Sequence, residues 1–141
     1  MAATWFAPTA LACTCMGDST PQKELRQCDA VFTGRPIRER IIKIDYSGSG
    51  PRMERMREFT FEVSSVWKGG VPRRTKVVTP IDSGMCGYAF DLRVPYIVYA
   101  RMTAGRLHTT ICDWTKRLDR ARADVKALGP AAVPGDRRPK A

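Results

Sequence analysis

Histidine is almost missing from this chain: His108 is the single one in 141 residues. The five cysteines are Cys13, Cys15, Cys28, Cys86 and Cys112, and none of them forms a C-x₂₋₄-C pair. A built-in zinc knuckle needs two such pairs or partner histidines, so the usual ligand sets are excluded. The redox spacing C-x-x-C is absent as well. So are H-E-x-x-H, G-x-S-x-G and the phosphate-cradling loop. The sequence therefore calls for no cofactor, and an enzyme is the least supported class. Acidic residues are scarce, 14 against 24 Lys and Arg, for a net charge of +10. Such a field attracts nucleic acid, anionic lipid, acidic polysaccharide or an acidic protein face. No apolar run approaches the roughly 18 residues of a membrane span, so no transmembrane segment is expected.

What is present begins with residues 1–12, MAATWFAPTALA, apolar and uncharged. They end in Ala10-Leu11-Ala12 directly before Cys13. A small-x-small triplet is what signal peptidase accepts, so residues 1–12 read as a signal-peptide remnant, cleaved to leave Cys13 first. The stretch is short and lacks a basic segment, which sets the expected start of the signal upstream of Met1. A packed or disordered N-terminal arm is the competing reading. The expected location is secreted or cell-envelope. A lipidated Cys13 fits less well, because a lipoprotein signal places Leu three residues ahead and here that position is Ala10. Export suits an oxidised cysteine framework, although counting does not settle which cysteines pair.

Further along, Thr20 or Ser19 is a natural N-cap and Pro21 suits the first helical position, predicting a short helix to about Gln27. Strands are expected from Asp29 to Ile44, over Met53–Trp67, Arg74–Thr79 and Val94–Ala100, and from Arg106 to Ile111. In the second of these Phe59, Phe61, Val63 and Ser65 share one face, with Glu58, Thr60, Glu62 and Ser64 on the other. Ala104-Gly105 reads as a hairpin turn. Leu118, Ala121, Val125 and Leu128 predict a helix over residues 117–128, stopped by Gly129 and Pro130. Residues 130–141 are rich in Pro and charge and are expected to be disordered. The fold class is mainly β: an OB-like five-stranded Greek-key barrel with two flanking helices, forming one domain over residues 13–129, expected to be a monomer.

Several segments taken together resemble the N-terminal, netrin-like domain of the tissue inhibitors of metalloproteinases. They are Cys13-Thr14-Cys15, Cys28-Asp29-Ala30-Val31-Phe32, Phe59-x-Phe61-x-Val63 with Val66-Trp67-Lys68-Gly69, Met85-Cys86-Gly87, Tyr96-Ile97-Val98-Tyr99-Ala100 and Leu107 through Cys112-Asp113-Trp114. The resemblance covers about Cys13 to Leu128. It implies an N-terminus pinned by Cys13–Cys86 and Cys15–Cys112. It also implies a protease contact made by Cys13, Thr14, Cys15 and Met16 with Ser83, Gly84 and Met85. The α-amino nitrogen and carbonyl oxygen of Cys13 would chelate the zinc of the target protease, with Thr14 entering its first specificity pocket. The chain departs from the family in two places. Cys28 matches a family cysteine whose partner follows Cys112, where this sequence has none, so it is expected to be unpaired or to pair with another molecule, and Met16-Gly17 stands where a proline is common.

Plainer readings stand beside these. The four paired cysteines would serve equally as stabilising staples, and Thr14 as an ordinary exposed residue. Trp67 and Trp114 read as core residues, His108 as a strand residue and Asp113 as a turn group. The partner is thus a zinc metalloprotease or, in the alternative reading, whatever a non-inhibitory netrin-like binding module holds: acidic polysaccharide, envelope or protein. Arg35, Arg38, Arg40, Arg52, Arg55, Arg57, Arg73 and Arg74 supply a polyanion-binding surface in that case. No nucleic acid is expected, because Phe59 and Phe61 alternate with Glu58 and Glu62 rather than with basic residues.

Overall fold

The computed structural model describes residues 13–48 and 53–135. The expected signal remnant, and Arg52 among the arginines, lie outside the described residues. Helix α1 (Pro21–Gln27) starts as the cap residues dictate: Thr20 is extended and its hydroxyl accepts the Lys23 N–H at 3.1 Å. Four strands, β1 (Ala30–Asp45), β2 (Met53–Lys68), β3 (Arg74–Pro80) and β4 (Tyr96–Thr103), carry most of the sheet. A short β5 (Arg106–His108) follows the turn at Ala104 and Gly105, both with positive φ. Then come β6 (Lys116–Arg117) and helix α2 (Arg122–Leu128).

The pairing order is β1-β2-β3-β5-β4, and β4 returns to β1 through Ala30↔Ala100 to Gly34↔Tyr96, closing a five-strand ring. All contacts are antiparallel except β3–β5, which holds by only Val77↔Leu107 and Val78↔His108. With so short a seam the sheet is a ring and not a regular barrel. β4 shares its second edge between β5, at Arg101 to Thr103, and β6, at Tyr96 and Ile97. Gly34 lets β1 pass from one partner to the other, since a Cβ there would stand 2.7 Å from the Glu62 carbonyl oxygen.

Alternation along β2 fills the ring. Phe59, Phe61 and Val63 point inward to meet Phe32, Val77, Phe90, Tyr96 and Val98. The rings of Phe90 pack edge-on against Phe59, Phe61 and Tyr96 at centroid distances of 5.0, 5.1 and 4.8 Å, the geometry aromatic quadrupoles favour. On the outer side of β1 and β4, both helices cover Cys28, Val31, Ile97 and Tyr99, with Trp67 and Trp114 packed against them. A third, small cluster of Ile44, Met56 and Val78 lies under the far end of the β1–β2 hairpin.

Three expectations change. The inward face of β2 switches to Val66 instead of Ser65, because the β1–β2 register shifts between Thr33 and Gly34 and between Val31 and Phe32. The strand from Arg106 stops at His108, where Thr109 turns inward and its buried hydroxyl donates to the Tyr99 carbonyl at 3.0 Å. The single helix over 117–128 is instead a 3₁₀ turn, Leu118–Arg120, followed by α2, with Ala121 (φ −112°, ψ 19°) interrupting the two. Beyond Gly129, Ala132 and Val66 exchange two backbone hydrogen bonds of 2.9 and 2.8 Å, and Gly135 N–H donates to Val71. The backbone groups of Val66 and Val71 give this segment an edge to pair with, which composition alone does not reveal.

Candidate functional site: the pinned N-terminus

Cys13 is bonded to Cys86 and Cys15 to Cys112, each with a Cα–Cα distance of 5.1 Å. The bridges enclose sequence separations of 73 and 97 residues, so the start of the domain is tied to its middle and to its far end. The two bridges are neighbours, with Cys13 Sγ 3.8 Å from Cys112 Sγ. The sulfurs of Cys13, Cys15 and Cys112 all lie within 4.8 Å of one another. Metal binding at such a cluster requires thiolates, and all three sulfurs are tied up in disulfides.

Each receiving loop is built to hold its cysteine. After β3, Asp82 organises a tight turn: its carboxylate accepts the Gly84 N–H at 2.8 Å, and its carbonyl accepts the N–H groups of Met85 and Gly87 at 3.0 Å. Cys86 is held at φ 68°, a left-handed conformation that a side chain rarely adopts. Gly87 has no room for a Cβ, which would fall 2.1 Å from the Pro80 carbonyl oxygen. The second loop depends on Asp113, whose Oδ2 accepts from the backbone N–H and hydroxyl of Thr110, both at 2.8 Å. The hydroxyl of Thr110 in turn accepts the Cys112 N–H at 3.1 Å. Ile111 N–H donates to the Cys86 carbonyl at 3.0 Å, joining the two loops.

Thr14, Cys15, Met16, Gly84 and Met85 are all exposed, Met16 at 96% and Met85 at 62%. Ser83 contributes its backbone to the 3₁₀ turn Ser83–Met85. The sequence reading passed over Ile111, which is 42% exposed beside Cys112. The sequence predicts a strand through it, and the early end of β5 at His108 frees it for the loop. Three large apolar side chains thus stand out around the two bridges, on a chain whose other apolar groups mostly face inward.

Behind the terminus lies a cleft of about 260 Å³ lined by Cys15, Met16, Lys23, Glu24, Arg101 and Trp114, among others. Glu24 is 5% exposed. It accepts from Ser19 Oγ at 2.6 Å and from the Cys28 thiol at 3.7 Å, and pairs with Arg101 at 3.8 Å. Arg101 also donates to Asp113 at 3.2 Å, linking α1 to the loop that holds Cys112. Burial, then the charge of Glu24, pushes the Cys28 thiol up to about 12. Cys28 is the one free cysteine and is buried, so it is inert as a nucleophile.

The family model for the tissue inhibitors of metalloproteinases matches residues 11–127. The chain belongs to the tissue inhibitor of metalloproteinase family. No individual curated protein matches it. Members of this family are inhibitors rather than enzymes. Among the described residues, no helix is long and apolar enough to cross a membrane. Within the family's frame Trp67 is a strut, donating its Nε1–H to the Gly129 carbonyl at 2.8 Å. Trp114 sits at φ 71° under Lys116, whose ammonium is 4.3 Å from the ring centroid. Its Nε1–H is buried and has no hydrogen-bond partner among the described residues. His108 has its Nε2 2.7 Å from the Tyr46 hydroxyl and its Nδ1 2.8 Å from the Arg106 carbonyl.

Proposed function

We propose that the chain is an exported inhibitor of a zinc metalloproteinase. After cleavage behind Ala12, the α-amino nitrogen and carbonyl oxygen of Cys13 chelate the target's zinc. The observation that carries this reading is the pinned terminus: two neighbouring disulfides fix Cys13 and Cys15 against loops that are themselves joined, with Met16, Met85 and Ile111 exposed around them.

A catalytic zinc keeps an open position filled by water, and an amine–carbonyl pair from one residue replaces that water without supplying a nucleophile. A terminus already held in place loses little conformational entropy on docking. Thr14 enters the first specificity pocket, while Met16, Ser83, Gly84 and Met85 flank it as contacts. The amine binds metal only when unprotonated, and its reference pKa is about 7.7–8.0, so inhibition strengthens as pH rises through that range. The test is a panel of zinc endopeptidases assayed with folded chain beginning at Cys13, at about pH 6 and pH 8. Stoichiometric inhibition of at least one enzyme, tighter at the higher pH, is expected. Failure against every member at both values removes the reading.

A further inference from the structure

The two bridges gather four sulfurs at one point of the fold. Cys13 Sγ lies 3.8 Å from Cys112 Sγ although the two belong to different bridges. The sulfurs of Cys13, Cys15 and Cys112 fall within 4.8 Å of one another, and Cys86 joins the group through its bond to Cys13. Zinc held by four thiolates has Zn–S distances of about 2.3 Å, which puts the sulfurs about 3.8 Å apart at the corners of a tetrahedron. The gap between the two bridges thus matches one edge of that tetrahedron. Tetrahedral four-sulfur sites are those of zinc and of iron–sulfur centres. Iron–sulfur clusters spread their thiolates over separate irons, farther apart than this group.

The loops that carry these sulfurs are shaped by contacts the bridges do not supply. Asp82 gathers the N–H groups of Gly84, Met85 and Gly87 around Cys86, and Asp113 with Thr110 fixes the turn at Cys112. The bond from Ile111 N–H to the Cys86 carbonyl holds the two loops together. Cys13 and Cys15 flank a single residue at the start of the described chain, so both can follow an ion seated between the loops. Cys15 is exposed and the other three are half-buried, which gives a reductant and an ion a way in. The remaining soft donors stand outside the group. Cys28 is buried against Glu24, and His108 lies between Tyr46 and the Arg106 carbonyl.

We propose that, once both bridges are reduced, the thiolates of Cys13, Cys15, Cys86 and Cys112 hold one Zn²⁺ in a four-sulfur site. Opening the bridges takes two equivalents of a dithiol reductant. Each gives two electrons and two protons to one bridge and closes to its own disulfide, leaving four protein thiols. Zinc then replaces the four thiol protons, which pass to solvent. The terminus is stapled to the same two loops in either state, by two S–S bonds when oxidised and by one metal ion when reduced. Re-oxidation by the disulfide of the same reductant class reverses both steps and releases the ion. This zinc would be the chain's own, held by sulfur, and the site does not rest on the inhibitor reading, in which the Cys13 amine and carbonyl approach a zinc belonging to the target.

The experiment reduces the full chain with a water-soluble phosphine, which is then removed under inert gas. Zinc is titrated in against a chromophoric chelator, with cobalt(II) in parallel as a spectroscopic stand-in. The reduced parent is compared with its own disulfide form and with reduced C28A, C86A and C112A. One zinc per reduced chain is expected, and the cobalt form shows the visible bands and sulfur-to-metal charge transfer of a tetrahedral thiolate site. C28A keeps the affinity within about twofold, since a buried thiol outside the group is no ligand. C86A and C112A each lose about tenfold or more, because a lost ligand costs at least as much as a lost outer partner of one. The disulfide form binds no zinc over the same range. Circular dichroism separates a built site from an unfolded chain that gathers metal: the zinc form shows the β-rich spectrum of the disulfide form, even where the metal-free reduced chain has lost it. Zinc bound without that spectrum, an octahedral cobalt spectrum, or C86A and C112A binding as tightly as the parent overturns the proposal.

Discussion

The backbone N–H of Ile111 donates to the carbonyl oxygen of Cys86 at 3.0 Å. Through this bond the loop that receives Cys13 and the loop that receives Cys15 become one support. The N-terminus is therefore pinned to a single body, and a distortion of either loop is passed to the other.

Opening one bridge should show how much the ring depends on this closure. In the chain-entropy model a loop near 100 residues contributes roughly 4–5 kcal/mol, with measured values often lower. The double variant C15A/C112A removes the 97-residue link. Its melting temperature should fall by roughly 10 °C or more, with far-ultraviolet circular dichroism still reporting a β-rich fold at low temperature. A melting temperature within a few degrees of the parent would mean that the ring and helices hold the terminus without the bridge.

Gly87→Ala tests the turn instead of the bond. The added Cβ would meet the Pro80 carbonyl oxygen at 2.1 Å, and that oxygen is backbone at the end of β3. The turn has to open, releasing the Asp82 contacts and displacing Cys86. A loss of stability on the order of 2 kcal/mol or more is expected in urea unfolding, together with weaker protease inhibition. An unchanged midpoint and unchanged inhibition would contradict the assigned role of this close approach.

Cys28 predicts both a reactivity and a pH dependence. Its thiol is 1% exposed and pushed up to about 12, first by burial and then by Glu24. Iodoacetamide at about pH 8 should leave it unlabelled in folded protein and label one thiol after denaturation without reductant. The folded value lies above the ordinary one of 9.0, so the native state keeps a proton that the unfolded chain gives up. Its contribution is complete below about pH 9 and is lost as pH rises toward 12. Tyr99 acts in the same direction, its hydroxyl raised by burial and by its hydrogen bond to Asp124. Urea midpoints measured from pH 7 to 10.5 should fall less steeply in C28A than in the parent. Parallel curves would show that Cys28 does not couple to folding.

Much of this was legible from residue order. Thr20 and Pro21 mark the start of α1, the Phe59-x-Phe61-x-Val63 alternation marks the inward face of β2, and Ala104-Gly105 marks the turn before β5. The cysteine pairs came with the family resemblance, since spacing alone leaves several pairings open. What stayed hidden depends on contacts distant in sequence. β5 ends where Thr109 meets Tyr99 and Thr115, and this puts Ile111 into the contact loop. Ala132 pairs with Val66, a partner that local composition does not show. Glu58 reads as one of a row of exposed polar residues in β2, yet Arg40, Lys76 and Arg106 come from three other strands to cover it.

The central claim is that a free amine on Cys13 sits at the zinc of a protease. It is tested most directly by two forms of the folded protein, one beginning at Cys13 and one at Ala12, titrated against the same inhibited zinc endopeptidase. Both keep the bridges and the surrounding contacts, and only the first has the chelating amine. The account predicts that the added alanine weakens inhibition by roughly a hundredfold or more, on the order of losing a metal contact. Equal inhibition by the two forms would contradict it and move the source of affinity to the surrounding loops.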